Sequence, residues 1–143
     1  MGKLIEWKRE RKVTNKLKFF NEKDIATKIH EYLIQLPNVE FDDEAKGPTI
    51  GYKVKNQNYK FATLHGGNSY QSLVLHVLPG NPHTLVGKEL QKEVQNKFNF
   101  DIRKIRSHVL KGHEIFIPLE LLNNKNPYNG IKHIIFYALY VQE

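Results

Sequence analysis

Hydrophobic positions along this chain recur with two different periods, and the changes of period mark its elements. Ile25, Ile29, Tyr32, Leu33 and Leu36 recur at offsets of four, seven, eight and eleven, the single stripe of an amphipathic helix. Asn21 precedes the stripe as an N-cap, with Glu22 and Asp24 in the first turn, where negative charge suits the helix dipole. Leu36-Pro37-Asn38 ends the helix, and Val39-Glu40-Phe41 then alternates as a short strand. Residues 49–54, 59–64 and 70–78 read as three further strands, separated by the turns Lys55-Asn56-Gln57-Asn58 and His65-Gly66-Gly67-Asn68. Pro79-Gly80-Asn81-Pro82 breaks the series. Leu85, Val86, Leu90, Val94 and Phe98 mark a second helix with Thr84 as its N-cap, and Lys88, Glu89, Lys92 and Glu93 make its solvated side. Residues 102–119, IRKIRSHVLKGHEIFIPL, read as two strands joined by a turn at Lys111-Gly112. A short helical turn over 119–122 and a polar loop over 123–129 follow. Asn126-Pro127 fits the cap and first position of a last helix, buried along Ile131, Ile134, Ile135, Ala138 and Leu139, with Tyr137 and Tyr140 alongside.

Arm, helix, strands, helix, hairpin, helix is the order of an α+β protein. It predicts a two-layer sandwich, an antiparallel β-sheet with helices packed on one face. Short connections between consecutive strands make the sheet a meander. Residues 1–20 form a basic N-terminal arm and 21–143 a single domain, a length suited to one core. Trp7 in the arm is a candidate to stack on a base or to anchor the arm onto that core, and its large apolar area favours the anchor.

Composition narrows the function. The chain has no cysteine, which excludes disulfides and thiolate metal sites. Its longest apolar runs fall well short of the roughly 20 residues of a membrane span. No secretory signal pattern opens the sequence, so the expected compartment is the cytoplasm, with no membrane partner. Net charge is +7, and it is concentrated: residues 1–18 hold seven basic and two acidic side chains. Such an arm on a nearly balanced domain points to DNA or RNA as a polyanionic partner.

The candidate phosphate contacts are Lys8, Arg9, Arg11 and Lys12 in the arm, with Arg103, Lys104, Arg106 and Lys111 on the hairpin. A β-ribbon can enter a major groove and present such donors there. Tyr52, Tyr59 and Tyr70 are candidates for stacking or for cross-strand packing. An alternative is a metal or small-ligand site on His65, His76, His108 and His113, although the sequence has no HxH or HExxH spacing. A further alternative is a protein-interaction or inhibitor module. Gly66-Gly67 and Gly80 match no phosphate-loop pattern, and no serine lies in a nucleophile motif, so the reading is non-enzymatic and without a cofactor. Asp42-Asp43-Glu44 reads as a solvated turn.

Three stretches resemble the YjbR/MmcQ-like family of small bacterial proteins: Leu36-Pro37-Asn38-Val39-Glu40, then Tyr52-Lys53-Val54 with Lys60-Phe61-Ala62, then His108-Val109-Leu110-Lys111-Gly112-His113 with Tyr140 near the end of the last helix. The resemblance runs from about Ile25 to the C-terminus. It departs from the family pattern at Glu114, where the family carries Trp, and at Val74-Leu75-His76, where it carries Ser-Leu-Lys. The resemblance implies a frataxin-like, double-wing fold with DNA as partner and the hairpins as wings. His65-Gly66 and His108-Val109-Leu110 are also similar to a small family named for a luciferase domain.

Overall fold

A computed structural model of the chain describes residues 13–42, 47–66, 71–77, 84–105, 112–122, 125 and 127–140. Among these residues a helical stretch over 13–17 is followed by α1 (Lys23–Ile34), β1 (Val39–Asp42), β2 (Thr49–Val54), β3 (Lys60–His65), β4 (Ser72–His76), α2 (Val86–Phe98), α3 (Ile102–Ile105), β5 (Glu114–Pro118), a 3-10 turn (Leu119–Leu121) and α4 (Lys132–Tyr140). The strands form one antiparallel sheet in the order β1-β2-β3-β4-β5. The protein is therefore α+β, with the meander that the alternating runs predict.

Register assigns the two faces of the sheet. Tyr52 pairs with Ala62, Ile50 with Leu64, Leu64 with Leu73 and Leu73 with Ile117, so these side chains share one face. Ile25, Ile29 and Leu33 of α1 and Ile134, Ile135 and Ala138 of α4 join them in one core. Helix α1 lies against β1, α4 against β3 and β4, and α2 against β5. Each fully buried Leu or Ile in this layer is worth about 1.5–3 kcal/mol of transfer free energy. The other face carries Thr63, Ser72, Val74 and Phe116, which are also buried. Between Tyr52 and Lys53 the register slips, leaving Phe61 as an extra residue opposite β2. The slip turns Lys60 across Gly51 to within 3.5 Å of Asp42.

Residues 13–20, placed in the arm by charge, join the core. Val13, Leu17 and Phe20 are buried, and the Lys16 ammonium donates to the Thr49 carbonyl at 2.8 Å. Trp7 and the arm cations Lys8, Arg9, Arg11 and Lys12 lie outside the described residues, as do Asp43 and Glu44.

Several boundaries move. Helix α1 begins after Glu22, with no side-chain cap, and the Asn21 N–H donates instead to the Gln71 side chain. Helix α2 begins after Leu85, while the Thr84 hydroxyl accepts the Val86 N–H. Its packed face is Gly87, Gln91 and Val94, and Leu85, expected in the stripe, is 61% exposed. The last helix starts at Lys132, not at Pro127, which lies in a turn over 127–131.

The expected basic hairpin over 102–119 is corrected. Ile102–Ile105 is a helical turn, and the sheet partner of β5 is β4. Two physical causes act together. Asn99 takes a left-handed backbone conformation (φ 55°) that ends α2, and the chain restarts as a turn with the Lys104 N–H donating to the Asp101 carbonyl. Ile102 and Ile105 are also three apart, the spacing of a helical face. The outer edge of β5 is meanwhile taken at Phe116. The Gln91 side chain accepts its N–H at 2.6 Å and donates to its carbonyl at 3.2 Å. The backbone groups a second strand would need there are already bonded.

Candidate functional site

Gln91 and Gln95, one helical turn apart on α2, join three elements. Gln91 holds Phe116 of β5 and donates to the Gln95 side-chain oxygen at 3.4 Å, and that oxygen also accepts the Ile102 N–H at 3.2 Å. The turn α3 is thereby tied to the flank of α2 that carries Gln95. Lys88 and Lys92 stand on the same flank, seven and three residues before Gln95, and both are exposed, as is Lys104 on α3. Arg103 is on that turn by its backbone, its side chain lying outside the described part. Arg106 and Lys111 are outside the described residues. The opposite flank of α2 faces α4, with Glu93 3.3 Å from the His133 ring nitrogen and the Lys97 stem beside Gly130. The flank bearing Lys88 and Lys92, with exposed Glu89 at its outer side, is therefore the one turned away from the helix layer.

The histidines are only partly brought together. His76 pairs with Glu114 across β4 and β5, and its ring centroid is 5.9 Å from that of His113. Burial pulls His76 down to about 4; Glu114 pulls it back up, and His113, His65 and Lys60 push it further down. It is neutral near pH 7. His65 is on the same sheet face, but it pairs with Ser72, four residues along β4 from His76. That offset is roughly 13 Å of strand rise, and the charge of His65 still reaches His76. His108 lies outside the described residues. Among the described residues no group of three or more His, Cys, Asp or Glu side chains is placed to hold a metal ion.

Tyr52, a candidate for stacking, is fully buried, with its hydroxyl 2.7 Å from Nδ1 of His30. Tyr59 is 56% exposed at the end of the β2–β3 turn, and Tyr70 lies outside the described residues.

A second polar surface was not foreseen. The Tyr128 ring, in the turn before α4, stacks on Tyr32 of α1 with centroids 4.3 Å apart and planes 9° from parallel. Lys132 places its ammonium 5.2 Å from the Tyr128 centroid. An open groove of about 410 Å³ runs beside the pair, lined by Lys28, Glu31, Tyr32, Gln35, Lys125 and Tyr128. Lys28 donates to the Lys125 carbonyl at 3.4 Å across it. Burial raises the Tyr32 hydroxyl above its ordinary value, as does neighbouring Tyr128, so it remains protonated at neutral pH. Tyr32 was legible only as part of a buried stripe, because its stacking partner arrives through packing across the core.

The α2 flank carries ammonium groups, and the Tyr32–Tyr128 surface carries ammonium groups beside ring faces. No helix among the described residues is long and apolar enough to cross a membrane. No protein-family model, no curated protein and no solved structure matches this chain.

Proposed function

We propose that this is a cytoplasmic nucleic-acid-binding protein whose phosphate contacts come from the outer flank of α2 and the turn after it. The carrying observation is the Gln95–Ile102 hydrogen bond, which sets the Arg103-Lys104 turn at the end of the row begun by Lys88 and Lys92. Ammonium groups in a row on a rigid element match the regular spacing of backbone phosphates and release condensed counterions on contact. The +7 charge and the basic stretch over 1–18 support the same reading by long-range attraction. The partner is met by a helix flank, since residues 102–105, expected to open the ribbon's first strand, form the turn α3.

Fluorescence anisotropy with labelled duplex and single-stranded oligonucleotides tests this. About six phosphate contacts should weaken binding by roughly 10³-fold between 50 and 200 mM salt. Lys88→Glu combined with Lys92→Glu should weaken binding further and flatten that dependence. Absence of binding to both oligonucleotides at 50 mM salt rejects the reading.

A further inference from the structure

Five side chains make one line across the helical layer. Tyr32 of α1 stacks on Tyr128, Tyr128 lies under the Lys132 ammonium, and Lys132, Phe136 and Tyr140 follow at offsets of four along α4. The Phe136 and Tyr140 rings are themselves near-parallel, 16° apart with centroids at 6.1 Å. These rings are not core. Tyr140 is 70% exposed and Phe136 37%, whereas Ile134, Ile135, Ala138 and Leu139 on the same helix carry the burial. A helix with its inner stripe already complete does not need three outward aromatic residues, Phe136, Tyr137 and Tyr140, for its own packing.

What surrounds the rings identifies what they meet. Lys28, Lys125 and Lys132 lie beside the Tyr32–Tyr128 stack, with Glu31 the one acidic residue among the groove's lining. A hydrophobic protein partner would find the aromatic end of this line continued by ammonium groups. A second copy packed ring to ring would bring no acidic row to meet these ammonium groups, since Glu31 is the one carboxylate lining the groove. Unpaired bases with their phosphates match both halves: ring faces accept bases of any sequence, and ammonium groups track the backbone. A duplex offers the phosphates but keeps its base faces stacked inside.

Resting on the nucleic-acid reading above, we infer that the Tyr32–Tyr128–Lys132–Phe136–Tyr140 line is a track for single-stranded nucleic acid, with bases stacking on Phe136 and Tyr140 and phosphates held by Lys132 and the groove lysines. The track is a surface separate from the α2 flank, and it gives the protein a preference for strands over duplexes that the flank alone does not provide.

The test uses the full chain, a labelled pyrimidine strand and a duplex of equal length in anisotropy titrations at 50 mM salt. The expected result is a strand affinity about 10-fold above that for the duplex, with Phe136→Ala/Tyr140→Ala abolishing the margin and leaving duplex binding intact. These positions are exposed, and an unchanged urea midpoint shows that the variant folds. Lys88→Glu/Lys92→Glu should lower both affinities together. If strand and duplex bind alike, or if the ring variant keeps the margin, the track is overturned while nucleic-acid binding stands. If neither binds, both readings fall. A wild-type dimer in sedimentation that the ring variant dissociates assigns the rings to self-association and also overturns the track.

Discussion

The Gln91 side chain is bonded to both backbone groups of Phe116 that face the open edge of β5. A primary amide carries a donor and an acceptor in the same relative positions as a peptide unit, so Gln91 acts there as a one-residue neighbouring strand. Edge strands with free N–H and C=O groups are templates for aggregation, and a helix-borne amide closes this one at its middle residue. The same amide reaches Gln95 and, through it, the Arg103-Lys104 turn. The position of the proposed phosphate-binding flank thus depends on the edge of the sheet.

Gln91→Ala should lower stability by about 2–4 kcal/mol, since it strands one buried donor and one buried acceptor that water does not reach. Phe116 is 1% exposed, which leaves little room for a substitute partner. Urea denaturation checks the value. Gln91→Glu keeps the acceptor for the Phe116 N–H but sets a carboxylate against its carbonyl. That variant should be destabilised at neutral pH and recover relative to wild type as the carboxylate protonates.

Helix α2 reaches β5 closely because Gly87 has no side chain. A Cβ at Gly87 would overlap the Gly112 carbonyl and the backbone between His113 and Glu114, and one at Gly112 would overlap the Thr84 carbonyl. Backbone on both sides leaves no flexible atom to move aside. Gly87→Ala should cost about 1–3 kcal/mol, and it should also weaken the Gln91 contact, since the helix must lift. Combined with Gln91→Ala its effect should be less than additive, which a double-mutant cycle in urea reads directly.

Elements whose burial follows a single period were readable from the sequence. Ile25, Ile29, Tyr32 and Leu33 are buried on α1, Ile134, Ile135, Ala138 and Leu139 on α4, and strand β2 runs over Thr49–Val54 as alternation predicts. Where two periods fit the same residues, contacts distant in sequence decided. Ile102 and Ile105 suit a helical turn, and the edge that would have received a second strand at Phe116 is occupied by a glutamine 25 residues away. The candidate sites were harder to read for the same reason. Lys132, Phe136 and Tyr140 share a helical stripe that offsets of four make visible. The Tyr32–Tyr128 stack joins residues nearly a hundred positions apart, and no local pattern announces it. For the histidines, residue type alone suggested a cluster, and it is strand register that sets His76 beside Glu114 and His65 beside Ser72.

Tyr52→Phe should cost about 1–2 kcal/mol although it keeps the ring and the packing. The hydroxyl is the partner of Nδ1 of His30 at 2.7 Å, and both side chains are shut off from solvent, so its loss leaves a buried imidazole nitrogen unbonded. Tyr59→Phe is the matched control. That ring is 56% exposed, and its substitution should leave the midpoint of denaturation within about 0.5 kcal/mol of wild type.

His30 also links the core to pH. Burial among Tyr52 and Phe41 lowers its pKa from 6.5 to about 4. Between those two values the unfolded chain binds a proton that the folded chain does not, so stability falls as the pH falls. The loss should begin near pH 6.5 and level off near pH 4, and the shift allows at most about 3 kcal/mol for this one group. His76, lowered to about 4 chiefly by burial, acts in the same direction. Urea midpoints taken between pH 7 and pH 4 should therefore drop more steeply than carboxylate protonation alone produces. His30→Gln, whatever its stability at pH 7, should remove its share of that slope. An unchanged slope would mean that the imidazole takes up its proton without leaving the fold, and that the surroundings of His30 are wetter than its burial implies.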